Sequence, residues 1–215
     1  MISPKTLKAV IFDFGGVLCF HPPEERFTPL ASVFGLSTAA FTPLFWAKRR
    51  EYDAGHLDAR AYWSAIAVTA GTVLEEASLP ALIRGEVELW NNFDERVLDW
   101  AADLRASGYR TGILSNLPRV LGEELRAAPG FLDPFDHVTF SYEMGSIKPE
   151  PAIYLDAIGG LGVAPGEALF LDDRTDNVQG ARAVGLQAEV FTTWEEFVES
   201  DLKRYRLPAP LRVLS

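Results

Sequence analysis

The sequence predicts an α/β fold, in which a doubly wound parallel sheet forms the core and an α-helical cap is inserted into it. Two observations support this. From residue 91 onward, short apolar strands alternate with amphipathic helices, which is typical of a parallel sheet with helices on both faces. Before that, residues 22–90 have a helical pattern. We assign 1–16 and 91–215 to the core and 17–90 to the cap.

The first element is a strand over Lys8–Phe12. It is short and apolar, and the chain then turns through Gly15 and Gly16. One carboxylate, Asp13, stands at the point where the strand ends. A lone acid at the end of a buried strand is the first candidate for a functional residue.

The cap is predicted to consist of short helices. Ser37 and Asp58 are suited to cap the N-termini of two of them, and Gly55 to end the helix between. Residues 27–47 carry no charge over a length that could nominally span a bilayer. Two prolines and a glycine interrupt this segment, so we predict a buried pair of short helices instead of a membrane span.

The second half alternates regularly. A helix begins at Asp94 and ends at Gly108. The later elements follow in order: strand 110–116, helix 118–128, strand 137–141, helix 149–158, strand 167–173, helix 176–184 and strand 188–191. This order predicts strands that run in the same direction and are joined by helices.

Composition narrows the classes of partner. The net charge of −10 argues against a surface for nucleic acid or an anionic membrane, but a bound metal could still allow an anionic substrate. The single cysteine, Cys19, excludes an intrachain disulfide framework. With no segment that resembles a signal peptide, we expect a cytoplasmic protein. The sequence gives no indication of its oligomeric state.

Polar residues follow the apolar strands repeatedly. Each has an ordinary alternative role as a turn residue, a helix cap or a solvated lysine. The set comprises Asp13, Ser115, Asn116, Lys148, Asp172 and Asp173. Because ligands bind beyond the carboxyl ends of parallel strands, we expect these residues to meet at one edge. The converging carboxylates would repel one another unless a divalent cation with oxygen ligands, such as Mg²⁺, lay among them.

This combination indicates chemistry at phosphorus. A carboxylate beside Mg²⁺ is a competent nucleophile and gives an aspartyl-phosphate that water then hydrolyses. Asp13 is the candidate nucleophile, and Lys148 and Ser115 could hold phosphate oxygens. The turn at Gly15 and Gly16 would let backbone groups approach a ligand closely.

Four ordered segments, "FDFGGVL", "ILSN", "KPEPAIY" and "LFLDDRTDNVQGA", resemble the motifs of haloacid dehalogenase-like hydrolases. The resemblance covers essentially the whole chain and implies a Rossmann-like core with the cap inserted after the first strand. It is closest to the branch that contains bacterial sugar-phosphate phosphatases and the N-terminal phosphatase domain of soluble epoxide hydrolases.

The resemblance also implies a role for each matching residue. Asp13 would be nucleophile and metal ligand, and Ser115 and Lys148 would bind phosphate with Asn116 beside them. Asp173 would bind the metal directly. Asp172 would bind it directly or through water, and Asn177 would hold the acidic loop or a metal-bound water.

Gly15 departs from the family pattern. Phosphatases of this family usually carry a second Asp there, whose carboxylate transfers protons and whose backbone carbonyl binds the metal. The carbonyl survives in Gly15 and the proton-transfer group does not. General acid–base catalysis contributes ~10²–10⁴-fold, so its loss would slow an enzyme without abolishing turnover. His21 and His56 are candidate substitutes.

The predicted function is Mg²⁺-dependent hydrolysis of a small phosphorylated metabolite, a sugar phosphate being one candidate. A metal-independent 2-haloacid dehalogenase is an alternative, since it also uses a strand-end Asp without the second acid. Asp172 and Asp173 argue against it, because they would repel an anionic substrate. A non-catalytic protein that binds a phosphate ligand is the other alternative, and Gly15 is its only support.

The cap and the tail have weaker signals. Arg49, Arg50 and His56 could contact the non-phosphate end of a substrate, although a solvated helix end is the preferred interpretation. The tryptophans Trp46, Trp63 and Trp90 are predicted to lie in the core of the cap, and the apolar residues of the tail 207–215 could dock on the core.

Overall fold

The computed structural model describes residues 6–211, and within them the strands form one parallel sheet in the order β3-β2-β1-β4-β5. The strands are β1 Ala9–Phe12, β2 Arg110–Ser115, β3 His137–Phe140, β4 Ala168–Asp172 and β5 Gln187–Val190. The predicted α/β fold with a parallel sheet is confirmed.

The cap consists of short helices between β1 and β2. They are α1 Thr28–Val33, α2 Thr38–Ala47, α3 Arg49–Asp53, α4 Ala59–Thr69 and α5 Leu79–Leu89. The predicted N-caps are confirmed, because Ser37 accepts a hydrogen bond from the amide of Ala40 and Asp58 accepts one from that of Ala61. In residues 6–211 no single helix is long and apolar enough to cross a membrane; the segments Glu24–Val33 and Thr38–Ala47 meet that criterion only as a pair bent by 86°.

The core helices cover both faces of the sheet. They are α6 Glu95–Ala106, α7 Arg119–Ala127, α8 Ser141–Met144, α9 Pro151–Leu161, α10 Thr175–Ala183, α11 Trp194–Glu199 and α12 Asp201–Tyr205. Helix α9 begins at Pro151 and not at Pro149 as predicted, because Glu150 precedes a proline and is extended, with a ψ of 137°. The sequence pattern did not predict α11 and α12, which are short.

The two faces of β1 pack against different helices. Val10 and Phe12 point to one cluster, where the rings of Phe12 and Trp100 meet edge to face with centroids 5.7 Å apart. Ala9 and Ile11 point to a second cluster built on α9 and α10. Side chains alternate along a strand, so helices on both sides bury β1 completely and hold its end in place.

The C-terminal segment docks on the core up to the end of the described chain. Leu207 is buried, and the indole N–H of Trp100 donates to the Pro208 carbonyl at 2.9 Å. The remainder of the tail, 212–215, lies outside the described residues.

Two short backbone pairings join cap and core. The amide of Phe20 donates to the Asn92 carbonyl and that of Asp94 to the Leu18 carbonyl, both at 2.9 Å. The proposed domain boundaries at residues 17 and 90 lie next to this junction and remain a prediction.

Helix α3 of the cap also contacts the core directly. The Ser141 hydroxyl donates to the Asp53 carbonyl at 2.5 Å and accepts from the Leu117 amide at 3.0 Å. Gly55 ends α3 with a φ of +74°, and a Cβ there would lie 2.7 Å from the Tyr142 carbonyl oxygen. Only glycine allows this close approach, which agrees with the predicted role of Gly55.

Candidate active site

Two neighbouring strands end in carboxylates. Asp13 follows β1 and Asp172 ends β4, at the place where the strand order reverses and open α/β sheets bind ligands. The amide of Asp13 donates to the Leu171 carbonyl at 2.9 Å, so the ladder continues to this residue. Ligand oxygens of Asp13, Asp172 and Asp173 lie within 4.8 Å of one another. The predicted convergence is confirmed.

Lys148 lies between two of these acids. Its buried ammonium is 2.7 Å from Asp13 Oδ1 and 2.7 Å from Asp172 Oδ2, and it donates to the Leu114 carbonyl at 3.1 Å. We call Asp13, Lys148, Asp172 and Asp173 the strand-end cluster. Its one cation cannot balance three carboxylates.

Asn116 positions the lysine through the backbone. Its Oδ1 accepts from the Lys148 amide at 2.8 Å, and its Nδ2 donates to the Lys148 carbonyl at 3.1 Å. Ser115 ends β2, is buried and lines the same cleft. The phosphate contacts assigned to Ser115, Asn116 and Lys148 remain predictions.

Asp172 and Asp173 are held differently. Asn177 donates to both oxygens of Asp172 at 3.0 and 3.1 Å, and the Arg174 amide donates to Asp172 Oδ1 at 2.9 Å. This agrees with the interpretation that Asn177 holds the acidic loop. Asp173 lines the cleft and contacts His21 instead. Of these two acids, Asp173 is therefore the one that a ligand in the cleft would contact directly.

The electrostatics of the cluster favour a cation. Burial raises the pKa of Asp13 from 3.8 to about 7, although the Lys148 charge acts in the opposite direction. Burial alone would lower the pKa of Lys148, but the charges of Asp13 and Asp172 more than offset it and raise that pKa. Clustered carboxylate oxygens are ligands that Mg²⁺ accepts, so the donor set fits this ion.

The turn after Asp13 needs two glycines for different reasons. Gly16 has a φ of +79°, and a Cβ there would lie 2.7 Å from Asp173 Cγ. A Cβ on Gly15 would lie 3.1 Å from Cζ3 of Trp90. The indole of Trp90 thus borders the space that the second Asp of the family pattern would enter. The metal contact assigned to the Gly15 carbonyl remains a prediction, as does a ligand contact of Gly16.

The two candidate histidines differ in position. His21 lines the cleft with its Nε2 2.9 Å from Asp173 Oδ2, and this hydrogen bond raises the pKa of His21. His56 lies in the turn after α3 and is not among the cleft residues. Of the two proposed substitutes, His21 is the one that reaches the site.

The cleft has a volume of about 470 Å³, and the cap forms one wall. Two predictions for this wall are wrong. Trp46 is 45% exposed and lines the cleft, whereas Trp63 is buried as expected. Arg49 is 7% exposed and is not a solvated helix end, because it packs its guanidinium 5.0 Å from the Phe45 ring centroid. Trp90 is buried but also borders the cleft.

Arg49 is paired with two acids inside the cap. Its Nε lies 2.9 Å from Asp53 Oδ1, and its Nη1 donates to Glu86 Oε1. The hydroxyl of Tyr52 donates to the other oxygen of Glu86 at 3.0 Å. We call Arg49, Asp53 and Glu86 the cap ion cluster. Sequence reasoning missed both acids, although Glu86 shares the buried face of α5 with Leu82 and could have been found as a charge in an apolar stripe.

Comparison with known proteins agrees with this geometry. The family model described as haloacid dehalogenase-like hydrolase matches residues 7–185. A D-ribitol-5-phosphate phosphatase from Bacteroides thetaiotaomicron is 27% identical over 196 residues, which cover 84% of this chain and 90% of that protein.

Solved structures with the same fold include an enzyme with bound magnesium and phosphate and a haloacid dehalogenase. A HAD family enzyme from Bacteroides thetaiotaomicron, solved with magnesium and inorganic phosphate, has a TM-score of 0.67 at 20% identity and covers 97% of this chain and 98% of its own. L-2-haloacid dehalogenase from Xanthobacter autotrophicus has a TM-score of 0.68 at 23% identity and covers 95% of this chain and 85% of its own, so the likeness is one of fold. On the family match, the chain belongs to the haloacid dehalogenase-like hydrolases.

Proposed function

We propose that this hydrolase is a Mg²⁺-dependent phosphatase that acts on a small phosphorylated metabolite. The strand-end cluster is the observation that carries the proposal. Three carboxylates with ligand oxygens within 4.8 Å of one another face one lysine, so an anionic substrate would be repelled unless a divalent cation were bound.

Asp13 and Asp173 would hold the metal, with Asp172 beside them and the Gly15 carbonyl as a further ligand. When bound, Mg²⁺ supplies charge neutralisation that lets a phosphate approach these carboxylates. Hydrogen bonds from Asn177 and the Arg174 amide keep Asp172 in place.

Asp13 is the proposed nucleophile. Its carboxylate oxygen attacks phosphorus while the bond from phosphorus to the leaving oxygen breaks, and the leaving oxygen takes up a proton from solvent, since Gly15 has no acid to supply one. Water then attacks the phosphorus of the resulting aspartyl-phosphate, which releases inorganic phosphate and restores the carboxylate. Lys148 fixes the orientation of Asp13 at 2.7 Å and adds positive charge beside the transferred group.

The substrate class follows from the size of the cleft and from the residue at position 15. A volume of about 470 Å³ suits a small metabolite, and the ribitol-phosphate phosphatase similar to this chain supports a sugar or polyol phosphate. Because Gly15 has no side chain to protonate the leaving oxygen, phosphates with good leaving groups, such as anomeric sugar phosphates, should react best.

A phosphate-release screen tests the proposal. Purified protein is incubated with a panel of sugar and polyol phosphates, with Mg²⁺ or with a chelator, beside the Asp13→Asn variant. We expect release that requires Mg²⁺ and is absent in the variant. Folded protein that releases no phosphate from any member of the panel in Mg²⁺ would contradict the proposal.

Two other outcomes would support the alternatives. Chloride release from 2-chloropropionate that a chelator does not diminish would indicate a dehalogenase. Tight binding of a phosphate ligand without turnover, unchanged by Asp13→Asn, would indicate the non-catalytic protein that the missing acid at Gly15 allows.

A further inference from the structure

The cap end of the cleft has a cation that is already neutralised. Arg49 and Asp53 both line the cleft, whereas Glu86 lies behind them and is completely buried. Arg49 contacts both carboxylates, with its Nε 2.9 Å from Asp53 Oδ1. One guanidinium thus faces two acids, and the cap ion cluster has no positive charge to offer a ligand.

The other basic side chains along the cleft are paired too. Within residues 6–211, each basic residue that lines it contacts a carboxylate. Beyond Arg49 the pairs are Lys148 with Asp13, His21 with Asp173, Arg50 with Glu150 and Arg174 with Asp176. A metal could reverse the sign at the strand-end cluster, but the candidate carboxylate group for a metal does not extend to the cap.

We propose that the cap end of the cleft selects substrates whose non-phosphate portion is uncharged and carries hydroxyls, and that Asp53 and Glu86 determine this specificity by neutralising Arg49. The inference rests on the proposed phosphatase function and deepens it.

The contacts available at this end suit such a group. A substrate hydroxyl can donate to the Asp53 carboxylate, while a carboxylate or a second phosphate would be repelled by it. The exposed indole of Trp46 adds an apolar face against which a carbon chain can pack. Burial raises the pKa of Asp53 to about 7 and also raises the pKa of Glu86, although the charge of Arg49 acts in the opposite direction on both.

A pair of compounds that differ in one group tests the inference. D-ribitol 5-phosphate ends in a hydroxymethyl group, and D-ribonate 5-phosphate ends in a carboxylate on the same carbon skeleton. At pH 8 in Mg²⁺, we expect wild-type kcat/KM to favour the ribitol compound by about tenfold or more, the effect of one like-charge contact in a partly exposed site.

Variants identify the residues responsible. Asp53→Asn should reduce the kcat/KM ratio of the ribitol to the ribonate compound about tenfold. Glu86→Gln should also reduce this ratio, although Glu86 would not touch the substrate. Glu76→Gln is the matched control, because Glu76 pairs with Arg60 on the cap surface away from the cleft and its loss should leave the ratio unchanged. Thermal unfolding verifies that each variant is folded. If a variant does not fold, the kcat/KM ratio of the two compounds with wild-type protein still tests the inference.

Several results would overturn the inference. One is equal turnover of the two compounds by wild-type protein. Another is a preference for the ribonate compound that disappears in Arg50→Gln, which would assign anion binding to Arg50. If neither compound is a substrate, both are tested as inhibitors of 4-nitrophenyl phosphate hydrolysis. The ribitol compound should then bind more tightly than the ribonate compound by about the same factor of ten. Absence of Mg²⁺-dependent hydrolysis of 4-nitrophenyl phosphate would instead refute the phosphatase function itself.

Discussion

The strand-end cluster and the cap ion cluster both bury carboxylates around a single cation, yet they are completed in different ways. In the strand-end cluster, Lys148 meets Asp13 and Asp172 while Asp173 faces the cleft. In the cap ion cluster, Arg49 is enclosed by aromatic rings and two acids, and Glu86 receives hydrogen bonds from Arg49 and Tyr52.

The difference shows how a protein can tolerate surplus buried charge. Removing carboxylates from water is costly unless a counter-charge or a proton accompanies them. Burial raises the pKa of Asp13 and of Asp53 to about 7 in each case. Both clusters border the cleft, but only the strand-end cluster groups three carboxylates that could hold a metal, whereas in the cap ion cluster Arg49 is the cation that balances two acids.

The largest expected effect separates the clusters by chemistry. Asp13→Asn should lower kcat by at least ~10⁴-fold, because it removes the nucleophile. Asp53→Asn should retain turnover of a substrate whose non-phosphate portion is uncharged, because Asp53 contacts no reacting atom in the proposed mechanism. The rate of phosphate release by the two folded variants measures this difference. Similar activity in both would mean that the clusters do not differ in catalytic importance.

Replacing the single cation of each cluster tests how its charge is balanced. Lys148→Met and Arg49→Met should each lower the free energy of unfolding by about 3–5 kcal/mol, because either leaves buried carboxylates without their partner. Mg²⁺ should recover part of the loss in Lys148→Met only, since a metal that binds the folded state stabilises it. Urea denaturation with and without Mg²⁺ measures both effects. If Mg²⁺ restored the stability of the two variants equally, the two clusters would not differ in how their charge is balanced.

The pH dependence of stability should reveal the cap ion cluster. With its pKa raised from 3.8 to about 7, Asp53 keeps its proton in the folded state at pH values where the unfolded chain has lost it. Stability is then fully present below the unfolded pKa and decreases as the pH rises through 7, on the order of 2 kcal/mol between about pH 5 and 8.

Asp13 changes stability in the same direction, so the measurement is made in saturating Mg²⁺, which favours its ionised form. Asp53→Asn should reduce the remaining pH dependence, part of which comes from Glu86, whose pKa burial also raises. If the slope is unchanged in that variant, Asp53 is not the titrating group.

The smallest effect concerns Trp90, which borders both the cap and the nucleophile turn. Gly15→Asp should destabilise the fold by about 1–2 kcal/mol, because its Cβ would lie 3.1 Å from the indole. Gly15→Ala controls for the Cβ alone. The added carboxylate should raise hydrolysis of alkyl phosphates with poor leaving groups by up to ~10²-fold. Combining either change with Trp90→Phe should recover part of the lost stability. If the effects of the single changes on the free energy of unfolding were strictly additive, the contact between the Cβ at position 15 and Trp90 would be unimportant.

The strand-end cluster was predictable and the cap ion cluster was not. Asp13 and Asp172 follow apolar runs that form strands locally, and the parallel topology then brings their side chains to one edge. Arg49 and Glu86 lie 37 residues apart on α3 and α5, and their contact depends on how two short helices pack. A buried charge on an amphipathic helix gives a weak signal, because such positions are usually solvated. The exposure of Trp46 was missed because a large aromatic residue in an apolar segment is expected to be buried.

The hydroxyl of Ser141 has a consequence for the position of the cap. It joins the amide of Leu117, next to Asn116 in the core, to the carbonyl of Asp53 in the cap. Because Asp53 and Leu117 both line the cleft, one buried side chain ties a cap wall of the cleft to a core wall. Helix α3 is thereby held against the core and is not free to swing away with the rest of the cap.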